Sequence, residues 1–410
     1  MNRLPFTHPR AALPIARHVA VQIGLGLVAG IPAGLGAWLF LELLDRAIRL
    51  REQHAPWLIW LLPAGAFVVG AVYHHFGGRA VRGTGLVIEE VHEPTEGVPR
   101  RMAPLIVLST IAGHLFGASV GREGTALQMS ASLSDHAARL LRIRGIRRRE
   151  LLVASLAAGF GAVFGVPVAG AVFALEVQSV GRVRFEAVLA SVTAAFTGDQ
   201  IVRGLGYHHA ILPAVDIHVD SWLAIRMAVA GAVFGAVAAL FVWITHRVRD
   251  VLTPVKYPPT RAAIGGAVTA LGIALFGRGY SSLSSPLAAH ALGGGNVGVG
   301  DWLVKAGLTA VCLGAGIPGG EVTPLFVTGA LLGAALAAPL GVPIAFLAAI
   351  GFVSVFGAAA NTPIACTLLF VELFGGAAVV PAAVALALAY VCSGHRGIYS
   401  TQRIEVRKHS

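Results

Sequence analysis

The sequence predicts an all-α polytopic membrane protein built as two inverted-topology repeats with broken and re-entrant helices. Three observations predict it. Of 410 residues, 56% are hydrophobic and only 12% charged, about half the ~25% of a soluble domain. The apolar residues gather in many segments, several cut short by Gly and Pro. A cluster of polar, Gly and Pro residues recurs in the same order in each half of the chain.

A soluble globule of this size cannot hide so much apolar surface, because surface falls too slowly with mass; the mean hydropathy is +0.75. Fifty-one glycines suit helices that pack closely in lipid. A net charge of +11 would suggest nucleic acid in a soluble protein. Here the basic residues sit in short loops between apolar segments, as the positive-inside rule requires, and no nucleic-acid partner is expected. Cys312, Cys366 and Cys392 are scattered in apolar stretches and read as packing residues. No histidine spacing suggests a metal site, and no cofactor is expected.

Residues 1–18, with Arg3, Arg10 and Arg17 among Pro5, Pro9 and Pro14, read as a cytoplasmic tail. Residues 19–205 form the first membrane repeat, 206–400 the second, and 401–410 a second cytoplasmic tail. The first repeat holds apolar segments at 19–44, 57–73, 102–120, 151–177 and 185–202. The second holds them at 222–245, 262–276, 302–316, 324–340, 344–360, 363–374 and 380–391. A clean span needs about 20 apolar residues. Several segments are shorter, or break at Gly165-Val166-Pro167, Ile317-Pro318-Gly319 and Thr362-Pro363. Helices that stop inside a membrane are tolerated only where the backbone lines a polar cavity or is buried in protein. No segment alternates like a barrel strand. Glu89, Glu90 and Glu93 read as a solvated helix face, and the Gly-rich run from Ala291 to Gly298 as a flexible connector.

Loop charge sets the expected topology. The arginines between Arg142 and Arg149, then Arg182 and Arg184, Lys256 and Arg261, and Arg403 to Lys408 read as cytoplasmic. Residues 207–220 carry Asp216 and Asp220 but no Lys or Arg, and read as external. Arg46, Arg49 and Arg51 conflict with this pattern, since one span after a cytoplasmic tail places them outside.

The repeat is specific. Val120-Gly-Arg-Glu-Gly-Thr-Ala-Leu127 matches Pro318-Gly-Gly-Glu-Val-Thr-Pro-Leu325 at an offset of 198, pairing Glu123 with Glu321 and Thr125 with Thr323. Downstream, Phe160-Gly-Ala162 matches Phe356-Gly-Ala358, and Pro167, Ala169 and Glu176 match Pro363, Ala365 and Glu372. Paired halves of this kind are the usual architecture of secondary transporters.

The repeated motifs carry the chemistry. Gly121-Arg122-Glu123-Gly124-Thr125 stands directly before an apolar helix. Glycine permits close backbone approach, and a helix that starts mid-membrane offers free N–H groups and a positive dipole end to an anion. An ionised Glu123 would occupy such a site; a protonated Glu123 can leave it. The plainer alternative is a glutamate that only complements the helix dipole. An intramembrane carboxyl is costly and functional by default, which favours the gate. Gly319-Gly320-Glu321-Val322-Thr323-Pro324 repeats the arrangement, with Pro324 suited to a first helical turn, Thr323 as a hydroxyl donor and Glu321 as a second carboxyl. The dipole alternative stands for Glu321 too. Gly83-Thr84-Gly85 is a third candidate helix start or a plain turn. Tyr399 is a hydroxyl donor to an anion or a member of the interfacial aromatic belt.

Together these residues resemble the CLC family of anion channels and proton-coupled antiporters across essentially the whole chain. The family's helix-start signatures, Gly-Ser-Gly-Ile-Pro, Gly-Arg-Glu-Gly-Pro and Gly-x-Phe-x-Pro, correspond to Gly83-Thr-Gly-Leu-Val87, Gly121-Arg-Glu-Gly-Thr125 and Gly320-Glu-Val-Thr-Pro324, followed by a late tyrosine, Tyr399. The pattern is similar to the fluoride-specific bacterial branch, whose third motif reads Gly-Glu-Val-Thr-Pro and which lacks the chloride-selecting serine; Thr84 stands in that place. The inner glutamate of proton-coupled chloride antiporters corresponds to Val177, so the resemblance gives proton transfer to Glu321. The length, with no pair of cytoplasmic domains after Ser410, fits bacterial members.

The resemblance implies a fluoride/proton antiporter of the bacterial inner membrane that exports fluoride by proton entry, homodimeric, with one pathway per subunit and no enzymatic activity. Glu123 and Glu321 would gate and couple. Thr84, Gly121, Arg122, Gly124, Val322, Thr323 and Tyr399 would bind the anion. The alternative within the family is a chloride/proton antiporter or passive anion channel. An intramembrane enzyme would need a nucleophile, an Asp pair or a metal motif in a span, and none is apparent. A receptor or scaffold leaves intramembrane carboxyls at helix starts without a use.

Overall fold

The computed structural model describes residues 9–215, 217 and 221–408. Arg3 and Pro5 of the expected first tail, and Asp216 and Asp220 of the loop read as external, lie outside the described residues. The first half runs through α1 (Pro9–Arg49), α2 (Leu62–Val72), α3 (Gly83–His92), α4 (Met102–Leu115), α5 (Glu123–Leu140), α6 (Ile146–Phe164), α7 (Pro167–Glu176) and α8 (Val188–Gly204). The second runs through α9 (Ser221–Leu252), α10 (Pro258–Phe276), α11 (Ser285–Leu292), α12 (Asp301–Gly314), α13 (Val322–Leu340), α14 (Ile344–Ala360), α15 (Pro363–Phe374) and α16 (Val379–Cys392). Among the described residues, five helical stretches are long and apolar enough to cross a membrane, and α4, α7, α14, α15 and α16 are shorter apolar helices.

The breaks fall where Gly and Pro place them. Gly165 closes α6 with a positive φ of 72°, and Pro167 opens α7 at a position where no helical N–H bond is lost. The second half repeats this with Asn361 (φ 60°) and Pro363 between α14 and α15. Three details depart from expectation. Helix α1 starts at Pro9, inside the residues read as a tail, because Ala11 to Leu13 are good helix formers that extend it. The eight residues of α11 are too few to give a legible pattern. Two-residue strands, β1 (Ser179–Val180) and β2 (Arg403–Ile404), pair in parallel and tie the chain's end to the α7–α8 connection.

One end of the bundle gathers the basic loops. Arg139 reaches the Val98 carbonyl (2.9 Å), Arg149 that of Val91 (2.8 Å), Arg403 binds Glu93, and Arg184 meets Glu405 (3.3 Å). Helix α1 starts beside Arg147 at this end. At its other end Asp45 accepts the Tyr207 hydroxyl (3.0 Å), so Arg46–Arg51 belong with the loop read as external. Two of these charges are engaged within the fold: Arg46 pairs with Glu42, and Arg51, 1% exposed, donates to the His114 carbonyl (2.5 Å) and to Glu52 (2.6 Å). Glu90 is likewise no solvated residue. It is buried, with Arg79 at 2.8 Å and both the N–H and the hydroxyl of Thr95 on its carboxylate. Cys312 and Cys366 are buried as expected, but Cys392, at the last turn of α16, is exposed.

The repeats meet along one axis. Phe160 and Phe356, matched by sequence, stack with centroids 6.3 Å apart within a cluster that includes Phe173 and Phe326. At the centre, Gly121 and Gly320 form an antiparallel backbone bridge.

Candidate functional site

That bridge brings the starts of α5 and α13 together. The Gly320 N–H donates to the Gly121 carbonyl (2.8 Å), and the Gly121 N–H donates back to Gly320. Glycine is required for the approach: a Cβ on Gly320 would stand 2.6 Å from the Gly124 nitrogen, and one on Gly121 would stand 2.6 Å from Glu123 Oε2 and 2.8 Å from Pro324. Real Cβ atoms do not come so close to backbone, so these glycines set how near the two helix starts can lie.

The Glu123 side chain fills the junction, 0% exposed. Its Oε2 accepts the backbone N–H groups of Arg122 (3.0 Å) and Thr323 (3.1 Å), and its Oε1 accepts the Thr323 hydroxyl. The Arg122 Nε lies 3.6 Å from Oε1. The carboxylate therefore occupies a donor set drawn from both repeats, which any small anion could use in its place. Glu321 stands at the N-cap position of α13, where its side chain makes no capping hydrogen bond, and Val322 follows it, fully buried and without a side-chain donor. Tyr399 lies within electrostatic reach of both Glu321 and Glu123. It is 4% exposed, and its hydroxyl has no protein hydrogen-bond partner.

Thr84 stands further off. It lies in the first turn of α3, and its hydroxyl accepts from Gln128 Nε2 at 3.4 Å. Gln128 is on α5, and both it and Gly83 line a cavity of about 500 Å³ that reaches Gly319 and, at the basic end, Arg249 and Arg261. No carboxylate lines this cavity among the described residues. The structure thus gathers Gly121, Arg122, Glu123, Gly124, Glu321, Val322, Thr323 and Tyr399 at one centre and sets Thr84 at the inner end of an electropositive opening. On the opposite approach, His209 lies near Arg122; burial and the charges of Arg122 and Arg203 pull its imidazole down to about 4, so it is neutral at ordinary pH.

Sequence reasoning missed the support under this centre. Lys305, 0% exposed, donates to the Ser282 carbonyl (2.8 Å) and to Ser119 Oγ (3.0 Å), just upstream of Gly121. His114 Nδ1 shares a hydrogen bond with Ser282 Oγ (2.6 Å). A lysine within an apolar segment was the signal available, since intramembrane charge is rarely idle.

Two all-helical repeats whose helix starts cross at a buried carboxylate define a membrane transporter built on inverted repeats. The chain belongs to the voltage gated chloride channel (CLC) family, which it matches over residues 65–394. It is 41% identical over 416 residues to a chloride/fluoride channel protein of Pseudomonas syringae pv. tomato, covering 97% of this chain and 89% of that one. It is 29% identical over 362 residues to the H(+)/Cl(-) exchange transporter ClcA of Cronobacter sakazakii, covering 80% and 73%. Among solved structures, a CLC-type fluoride/proton antiporter superposes with a TM-score of 0.89 at 29% identity, covering 96% of this chain and 99% of that one.

Proposed function

We propose that the protein exchanges fluoride for protons across a bacterial inner membrane, exporting fluoride by proton entry, as a homodimer with one pathway per subunit. The basic end then faces the cytoplasm. The observation that carries this reading is the Glu123 carboxylate sitting on the N–H and hydroxyl of Thr323, with Glu321 beside it. Ionised, Glu123 excludes an anion from these donors; protonated, it releases them and carries a proton away. One side chain then links the occupancy of the two ions. The tyrosine hydroxyl without a partner is a further donor held ready at the same centre.

Fluoride fits the chemistry of this donor set. It is small and strongly hydrated, so stripping its water demands several short, strong donors. The Arg122 and Thr323 N–H groups and the Thr323 and Tyr399 hydroxyls are of that kind. A protonated Glu123 or Glu321 could also donate to fluoride directly. Support comes from the Pseudomonas relative, a chloride/fluoride channel protein, and from the superposed fluoride/proton antiporter. Chloride/proton exchange, as in the Cronobacter exchange transporter, is the second reading, since Thr84 retains a hydroxyl near the inner opening. Purified protein in liposomes loaded with fluoride or chloride, read with an ion electrode and a pH probe together, tests this. Fluoride efflux with stoichiometric proton uptake is expected; rapid chloride efflux with negligible fluoride efflux overturns the substrate, and anion efflux without proton movement overturns the coupling.

A further inference from the structure

Helix α3 stands between two openings at the basic end. One is the cavity of about 500 Å³ that leads to Gln128 and Gly83. The other, on a different side of α3, is a cleft of about 250 Å³ with a balanced lining. Its three arginines are matched one to one with its three glutamates: Arg79 with Glu90, Arg82 with Glu89, and Arg403 with Glu93. A cleft with its charges so matched does not concentrate anions. It does suit water.

Within this lining one titratable group is buried with a free atom. His92 is 7% exposed. Its Nε2 lies 2.8 Å from the Gln178 carbonyl, which can only accept, so Nε2 carries a hydrogen. Its Nδ1 is buried and has no protein partner. Glu90 cannot play the same part, because Arg79 and Thr95 already hold its oxygens. The charges that face His92 from other elements are Arg149 of α6, Arg184 before α8 and Arg403 of β2, while Glu89, Glu90 and Glu93 accompany it on and beside α3.

The cleft also leads inward. Thr401 lines it, and its Oγ1 is buried without a partner. Thr401 packs against the first turn of α3, where a Cβ on Gly85 would meet its Cγ2 at 3.2 Å. Two residues earlier in the chain stands Tyr399, whose hydroxyl is unpartnered at the central site. Buried polar atoms are nearly always satisfied, and water is the ligand that can satisfy this sequence of orphans from His92 Nδ1 through Thr401 Oγ1 toward Tyr399. By contrast, Val177 has no titratable group, and its carbonyl accepts from Gln402 (2.8 Å), the neighbour of Thr401.

We propose that protons travel between the central carboxyls and the cytoplasm through this cleft, and that His92 Nδ1 is the group that takes and releases them. This rests on the reading of the protein as proton-coupled. Nδ1 accepts a proton from water on the Thr401 side, the ring is briefly an imidazolium, and the same Nδ1 returns the proton to water at the Glu93 rim. The Nε2 hydrogen stays on the Gln178 carbonyl throughout.

His92→Gln tests it, because a glutamine amide can still donate to the Gln178 carbonyl but cannot titrate. In liposomes, coupled proton and anion turnover is expected to fall about a hundredfold or more, the scale of a lost proton-transfer group. The wild-type dependence of rate on cytoplasmic-side pH should vanish in the variant, which has no titratable ring. Imidazole added on that side should restore part of the rate to His92→Ala. Thr401→Val, of nearly equal shape, should slow proton movement as well, and it answers the question should the His92 variants fail to fold. Wild-type proton flux and pH profile in His92→Gln overturn the proposal. So does a lower rate whose pH profile is unchanged and which imidazole does not rescue, since that is a positional loss alone. A Thr401→Val variant with wild-type proton flux also overturns it. Wild-type protein that moves no protons with either halide defeats instead the reading on which the proposal rests.

Discussion

Glu176 and Glu372 cap each other's helices. Glu176, in the last turn of α7, accepts the N–H groups of Ile364 (3.1 Å) and Ala365 (2.8 Å) at the start of α15. Glu372, in α15, accepts those of Val168 (3.0 Å) and Ala169 (2.7 Å) at the start of α7. Each repeat thus supplies the acceptor that the other's broken helix lacks, and the breaks at Pro167 and Pro363 are held by this exchange. Helix starts leave free N–H groups that lipid cannot satisfy.

Removing either carboxylate should loosen the join between repeats. Each orphaned buried donor costs about 1–3 kcal/mol, and Glu176 is 6% exposed whereas Glu372 is partly exposed. Glu176→Ala is expected to lower the thermal midpoint in detergent more than Glu372→Ala does, with Glu176→Gln between Glu176→Ala and wild type because it keeps one acceptor oxygen. Equal midpoints for Glu176→Ala and wild type would show that the caps hold nothing.

Glu123→Gln should remove coupling while leaving the anion donors in place. An amide cannot alternate between filling the Thr323 site as an anion and carrying a proton. The proton-to-anion ratio in liposomes is expected to fall close to zero while anion flux persists. A wild-type ratio in this variant would take the gate away from Glu123.

Glu321 and Val177 form a contrasting pair. Glu321→Gln is expected to abolish or severely slow exchange, and Val177→Ala to have a mild effect, since Val177 contributes a backbone carbonyl rather than a proton carrier. A near-normal antiport rate in Glu321→Gln would reduce that residue to complementing the dipole of α13.

The Gly121–Gly320 crossing leaves no room for a side chain on Gly320, where a Cβ meets Gly124 N at 2.6 Å and Glu123 N at 3.2 Å. Gly320→Ala should cost about 1–3 kcal/mol through overpacking and should also displace Glu123 from Thr323, so transport falls along with stability. Gly307→Ala within α12 has nothing within 4 Å of its Cβ and serves as the control, with midpoint and rate expected near wild type. A Gly320→Ala protein as active and stable as that control would mean that the helix starts can separate freely.

Most of this design was legible because it repeats. Two clusters of polar, Gly and Pro residues that recur in the same order at nearly one spacing identified Glu123 with Glu321 and Glu176 with Glu372, and proline after glycine or asparagine located the ends of broken helices. The pairing itself could not be read. A repeat states which residues are equivalent, but only the packed chain shows that Glu123 binds Thr323 across the axis or that Glu176 caps the opposite half. Arg51, Glu90 and Lys305 were opaque for a related reason. Their partners, His114, Arg79 and Ser282, lie 63, 11 and 23 residues away, and no periodicity marks a buried charge as satisfied. Helix α11, at eight residues, falls below the length at which periodicity can be read.

Thr323 and Tyr399 separate two meanings of a hydroxyl at this centre. The Thr323 hydroxyl is engaged with Glu123, so Thr323→Val removes both an anion donor and part of what seats the gate. The Tyr399 hydroxyl is buried with no protein partner, so Tyr399→Phe deletes a donor that the protein itself does not use. Loss of one hydrogen bond to a charged group costs about 1.5–3 kcal/mol, roughly tenfold or more in affinity at ~1.4 kcal/mol per decade. Both substitutions are expected to weaken fluoride binding or transport by about that factor. Their stabilities should diverge: Tyr399→Phe should match wild type in thermal midpoint, because an apolar replacement orphans no donor or acceptor, whereas Thr323→Val should fall, because Glu123 loses an acceptor bond in the buried junction. Calorimetric titration with fluoride beside thermal melts in detergent distinguishes these outcomes. Unchanged fluoride handling in both variants would leave the anion held by backbone N–H groups and carboxyls alone, and would remove Thr323 and Tyr399 from the donor set.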